Sequence, residues 1–292
     1  MRWLLLLLCS CVSQAVEAKS PPPLRLTYQD MVAARNNPIG LMNLIEVTGR
    51  YRLSQSDHML MQDTHISAGP FLDLNPAAAA LGGVVRVKPL AVLQLTASHA
   101  WVGYFGTFGL VQSFNDTDID YSDTQLDINE DNGENFSTTG TTTKLEGILQ
   151  AKAGRVAVRS TFLGTRYSLD TRGKPIWFDT GLDVLAPRRG WVIKNDLDVL
   201  WVTDVGLAAG GRWTWTKPFL GKFSEDSQTT DRMGPMVAYR WGKAPGSRFH
   251  APTVILLAQW YTRHTYRTGA DVSQGLPYVA AAFMFSGDLI PW

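Results

Sequence analysis

Period-two alternation of apolar and polar residues, sustained over stretches of about ten residues from Gly40 onward, constrains this chain more than any other feature. Successive side chains of a strand point to opposite faces, so each such stretch reads as a strand with one apolar and one polar side. Ile45, Val47, Gly49, Tyr51 and Leu53 make one apolar face, while Glu46, Thr48, Arg50 and Arg52 occupy the other. Trp191, Ile193, Leu197, Val199 and Trp201 oppose Lys194, Asp196 and Asp198, with Asn195 the polar residue on the apolar side. After a tight connection at Thr203–Gly206, Leu207, Ala209, Gly211, Trp213 and Trp215 oppose Arg212, Thr214 and Thr216. Leu145, Gly147, Leu149 and Ala151 alternate with Lys144, Glu146, Gln150 and Lys152, and a turn at Ala153-Gly154 leads into Val156 and Val158.

A soluble β-sandwich also alternates, so the ends of the stretches decide. Trp101, Tyr104, Trp177, Trp191, Trp201, Trp215, Trp241, Trp260, Tyr261 and Tyr278 recur near strand ends, as aromatic girdles do at a membrane–water interface. Connections are unequal: short at Lys88-Pro89, Ala153-Gly154 and Asp204–Gly206, long across the polar stretch Gly106–Thr143. Beyond the amino-terminal segment, the longest apolar run, Ala77–Val85, falls well short of the roughly 20 residues a membrane helix needs. The fold expected is all-β, a closed antiparallel transmembrane β-barrel of about ten to twelve strands. A generous count from Leu41 to Leu289 gives twelve. Placing the Lys88-Pro89 and Asp204–Gly206 turns on one side lets Ile176–Val202 cross once, which favours ten, although Leu41–Leu53 and Met59–Leu72 both read as strands.

The amino terminus carries Arg2, an apolar run Trp3–Leu8 and the small-residue pattern Val16-Glu17-Ala18, so residues 1–18 read as a signal peptide cleaved after Ala18. Lipidation at Cys11 is the competing reading. Cys9 and Cys11 both fall within this segment, leaving no cysteine for a disulfide in the remainder. Residues 19–39 read as a periplasmic lead-in, with Pro21-Pro22-Pro23 and a short helix over Thr27–Asn36 that starts on Thr27-x-x-Asp30 and ends before Pro38. The barrel is assigned to 40–292. With 27 basic and 26 acidic residues, a net charge of +1 excludes a general attraction to nucleic acid.

From Gly40 to the end the pattern resembles outer-membrane β-barrel proteins of Gram-negative bacteria, and the terminal Trp292 is similar to the aromatic residue that often ends such chains. The resemblance implies a place in the bacterial outer membrane, insertion by the barrel-assembly machinery, and contact with outer-membrane lipid and lipopolysaccharide. Pro291 departs from the pattern, because proline cannot donate to a strand ladder.

Glu46, Arg50, Arg52, Arg86, Lys152 and Arg159 are assigned to the barrel interior, as are Lys194, Asp196, Asp198, Arg212 and Arg240. Both signs are present. Such an interior either pairs into a closed ionic core, giving a structural or surface-interaction barrel, or lines a polar lumen that passes small solutes. The non-enzymatic small-solute channel is the favoured reading. A third reading rests on His65-Ile66-Ser67, where a histidine and a serine share one face of a strand and the histidine activates the hydroxyl. Over three residues this is similar to the His-x-Ser pair of outer-membrane phospholipases and lipid A deacylases, with Asp73 or Asn75 the nearest orienting group. The stretch Asn115–Asn135 is acidic and lacks basic residues. Within it Asp116, Asp118, Asp120, Ser122, Thr124 and Asp127 match calcium-loop spacing, with Tyr121 where such loops need glycine; a solvated acidic loop is the competing reading. No other cofactor is implied, and His99, His250 and His264 have no metal-ligand spacing.

Overall fold

Each alternating stretch becomes a strand of a single sheet that closes on itself. A computed structural model describes residues 22–291 apart from 57, 62, 110, 222–227, 243–245 and 269–275; the expected signal peptide and Trp292 lie outside the described residues. The wall begins with β1 (Leu24–Asn36), β2 (Gly40–Arg52), β3 (His65–Asn75), β4 (Ala78–Leu90) and β5 (Leu93–Tyr104). A long connection then carries the short β6 (Ser113–Phe114) and the helix α1 (Asp123–Asp131), before β7 (Thr138–Ala153) and β8 (Val156–Leu169) resume the wall. A hairpin of β9 (Ile176–Asp179) and β10 (Val184–Pro187) leaves it again. The circuit ends with β11 (Arg189–Val202), β12 (Leu207–Pro218), β13 (Thr230–Arg240), β14 (His250–Arg263) and β15 (Tyr278–Asp288). Twelve strands form the closed barrel, while β6, β9 and β10 make a separate three-stranded sheet. Neighbours in the wall are antiparallel, and β15 pairs with β1 from Thr27↔Asp288 to Asn36↔Val279, so the sheet has no edge.

The count is therefore twelve rather than ten: eleven wall strands run from Gly40 onward, and β1 ahead of them is the twelfth. Residues 24–36 are not a helical lead-in; they pair with β2 from Leu24↔Tyr51 to Arg35↔Gly40 and start the barrel ahead of Gly40. Leu24, Leu26 and Tyr28 alternate with Arg25, Thr27 and Gln29 as the other strands do. Asp30 interrupts the pattern on the outward face, where it accepts a 2.6 Å hydrogen bond from Asn43 Nδ2. Four strands thus precede the turn at residues 91–92, just past Lys88-Pro89. That turn lies at the barrel end where β1 begins and β15 finishes, here the terminal end, as does the connection 53–64; the two longest connections, 105–137 and 170–188, lie at the opposite, loop end. Between Ile176 and Val202 the chain crosses once, by β11, as the turns require.

Register places the apolar series on the outer face. Leu81, Trp101 and Leu149 are 57%, 70% and 60% exposed, values that only a lipid environment makes favourable for side chains of that size in a continuous belt. Trp201, Tyr239 and Trp241 close the belt near the terminal end, while Trp191, Trp215 and Trp260 ring it near the loop end. Trp191 lies 3.4 Å from the position a Cβ would take at Gly164, covering the bare backbone of the next strand. Asn195, the polar residue of that face, donates to Ser160 Oγ at 2.8 Å. Four of the expected girdle aromatics turn inward instead: Tyr104 and Trp177 pack together at the mouth, Tyr261 bonds Asp183, and Tyr278 lies under Arg232. Among the described residues no helix is long and apolar enough to cross a membrane.

Candidate functional site: the charged lumen and its cap

Small residues on the inner face make room for the charged ones. Arg86 on β4 reaches over β3 to Glu46 on β2 in a bidentate pair at 2.7 and 3.0 Å, passing the level where β3 carries Ser67 and Gly69. Across the lumen, Arg212 forms a second bidentate pair with Asp198 at 2.6 and 2.8 Å. Asp196 is held by Lys194 at 3.0 Å and by Thr214 Oγ1 at 2.7 Å. Bidentate guanidinium–carboxylate forks fix both side chains in plane, which gives the inner surface a defined pattern of charge. A Cβ at Gly210 or Gly234 would fall 2.0 Å from a neighbouring strand's carbonyl oxygen, so the wall coils tightly at these two positions.

At the terminal end the charges gather more densely. Arg25 pairs with Asp288 through two 2.7 Å bonds, sealing β1 to β15. Asp63, in the connection before β3, bonds both Arg50 and Lys88. Burial opposes the charge on Asp63, but Arg50 and Lys88 outweigh it and hold the carboxyl below its usual range. Arg52 donates through Nε to Ser54 O at 2.6 Å. Lys152, Arg159 and Arg240 also lie on the inner face toward this end, and among the described residues no carboxylate stands within 4.0 Å of them. The register therefore puts all eleven sequence-assigned interior residues on one face.

The loop end is covered. The sheet of β6, β9 and β10 is apolar on both sides, which is why each of its longer strands reads as an unbroken apolar run rather than an alternation. Trp177, Val184 and Ala186 face down onto Ala78, Val102, Tyr167, Leu169 and Val192 of the wall. Ile176, Phe178 and Leu185 face up against Tyr121 and Leu126. Ser122 caps α1 by accepting from Gln125 N, and buried Gln112 ties the helix down by donating to Leu126 O at 2.7 Å. These contacts make a small hydrophobic core inside the mouth.

The hairpin tip is fastened to the far wall. Arg35 of β1 donates to Thr180 O and Gly181 O at 2.7 and 2.6 Å. Asp183, 1% exposed, bonds Arg267 and accepts from Tyr261 OH at 2.8 Å, with His264 Nε2 3.3 Å away. Arg267 also forks onto Asp123 of α1 at 3.0 Å, so one guanidinium joins hairpin, helix and the connection after β14. Burial by itself raises the Asp183 carboxyl, but hydrogen bonds and charge from His264 and Arg267 overcome it and hold the group well below the usual carboxylate range. Burial pushes the Tyr121 hydroxyl up to about 12. Sequence reasoning did not find this latch, because Arg35, Asp183 and Arg267 are far apart in the chain. Its readable trace was the pair of apolar runs at 176–178 and 184–186 around a Gly-Asp connection.

His65 and Ser67 do share the inner face of β3, both buried, yet the arrangement does not make a nucleophile and base. His65 Nδ1 lies 2.8 Å from Asp63 O, and Ser67 Oγ has no hydrogen-bond partner. Asp73 and Asn75 sit at the opposite end of the strand, with Asn75 Oδ1 engaged by Ala77 N. The acidic stretch does not form the calcium-type loop. Asp127 lies inside α1, while Asp116 and Asp120 accept from Thr117 N and Ser122 N. Among the described residues no group of three or more acidic, histidine or cysteine side chains is gathered to hold a metal ion.

No family model matches the chain. No curated protein matches it either. Among solved structures, the chain is similar to OmpF of Salmonella typhi, at 10% identity over 91% of this chain and 97% of that one, with a TM-score of 0.34. It is similar to the translocator domain of the autotransporter NalP of Neisseria meningitidis, at 9% identity over 92% and 88%, with a TM-score of 0.36. A FadL homologue of Pseudomonas aeruginosa stands at 11% identity over 90% and 88%, also with a TM-score of 0.36. At these scores the likenesses bear no weight for function, which has to come from the chain's own geometry.

Proposed function

We propose that the protein is a bacterial outer-membrane barrel that passes small solutes and is closed at its outer mouth by its own folded cap. In this reading the loop end faces outward, the terminal end faces the periplasm, and outer-membrane lipid and lipopolysaccharide surround the apolar belt after insertion by the barrel-assembly machinery. The observation that carries it is the latch: a cap with its own apolar core spans the mouth above a charged lumen and is fastened by a few polar side chains rather than by continuous strand pairing. Ion pairs of that kind break without unfolding the wall.

The test is single-channel conductance of refolded protein in planar bilayers, with heat-modifiable gel migration reporting an intact barrel. The native chain is expected to be closed for most of the record. Arg267→Ala takes the guanidinium from buried Asp183 and leaves it only Tyr261 and His264, at a cost of about 3 kcal/mol. At about 1.4 kcal/mol per factor of ten, the open population rises more than roughly a hundredfold. A folded variant that stays silent would sink the passage reading and leave a structural or surface-interaction barrel.

A further inference from the structure

The terminal end of the lumen holds a cavity of about 240 Å³ lined by Arg25, Arg50, Arg52, Asp63, Thr64 and His65, together with two prolines. Arg25 and Arg50 stand directly opposite each other across the β1–β2 ladder, an arrangement that like charges disfavour. Asp288 and Asp63 offset these two arginines, but Asp63 is shared with Lys88. Among the described residues no carboxylate lies within 4.0 Å of Arg52, whose side chain reaches a backbone oxygen through Nε. The cavity wall therefore carries more positive than negative charge. A second observation is independent of charge: Thr64 is 1% exposed, lines this cavity, and its Oγ1 has no hydrogen-bond partner. A buried hydroxyl in that state calls for an acceptor or donor from outside the chain.

We infer that this vestibule is a binding site for a small oxyanion, a solute bearing a phosphate or carboxylate group that enters from the terminal end. Planar guanidinium forks match both groups in geometry and charge. Arg52 supplies the uncommitted charge, Arg25 and Arg50 the surrounding positive field, and Thr64 a neutral hydroxyl donor at the wall. The site is a binding site whether or not the barrel conducts, so failure of the capped-passage reading leaves it standing.

The experiment is calorimetric titration of the refolded full chain with inorganic phosphate and, separately, with succinate. Saturable binding of at least one is expected, and the two arms distinguish a phosphate site from a carboxylate site. Arg52→Gln is expected to weaken binding by about tenfold or more, through the loss of one charge-assisted hydrogen bond. Lys174→Gln, in the connection at the opposite, loop end, is expected to leave the affinity within about twofold, because separated sites contribute independently. Should Arg52→Gln fail to give a heat-modifiable barrel, Thr64→Val decides, since it keeps every charge and removes the hydroxyl; a severalfold loss supports the site. No saturable binding of either oxyanion, or binding indifferent to these changes, overturns the inference.

Discussion

Asp183 shows how much a single carboxylate governs in this molecule. It is buried, paired with Arg267, and held well below its usual range by that guanidinium and by His264. Its folded value is depressed, so the latch contributes stability above about pH 4, the unfolded carboxylate value, and loses it as pH falls through the folded value. The cap is therefore expected to stay protected from added protease throughout the neutral and mildly acidic range. Asp183→Asn is expected to lose that protection at every pH, and an opening of the native cap near pH 6 would overturn this account. Ser67 makes the opposite point. Its pairing with His65 was legible in the sequence as a shared face, but what each side chain touches was not, because that depends on Asp63 and on an arginine reaching over from β4.

Among the elements, most of the wall was readable and the cap was not. Alternation located β2, β7, β8, β11 and β12 closely, since each has an apolar side against lipid and a charged side against the lumen. β1 escaped because Asp30 breaks the outward series and Thr27-x-x-Asp30 imitates a helix start; pairing on both flanks overrides that local preference. β9 and β10 escaped because a strand buried on both faces loses the period of two, and Trp177 then looked like one more interfacial aromatic. Its indole lies 5.4 Å from the Tyr104 ring and 5.2 Å from that of Tyr167, at 2% exposure. Trp177→Ala is expected to cost the cap about 3–5 kcal/mol, the usual penalty for emptying such a site. Limited proteolysis should then cleave the connections at the loop end much faster, while gel migration of the barrel remains unchanged. Loss of the folded barrel itself would mean that cap and wall are one cooperative unit.

For the molecule as a whole, the decisive contact joins the first and last strands of the wall. Arg25 and Asp288 are 263 positions apart and form a bidentate pair where β1 meets β15, with Asp288 3% exposed at its side chain. Asp288→Ala removes a bidentate carboxylate from a partly buried guanidinium and is expected to cost about 1.5–3 kcal/mol. The prediction is checked by a lower urea midpoint for loss of heat-modifiable migration, and an unchanged midpoint would count against it. The seam has a consequence for assembly. The first strand of the wall has the last as its second neighbour, so while the wall assembles in chain order one of its rows of amides and carbonyls stays uncovered until the circuit closes. A chain halted before β15 is not a smaller barrel with reduced capacity. It is a curled sheet with two raw margins, each able to pair with any other strand nearby, and the quality of the product is decided by whatever shelters those margins until β15 is in place.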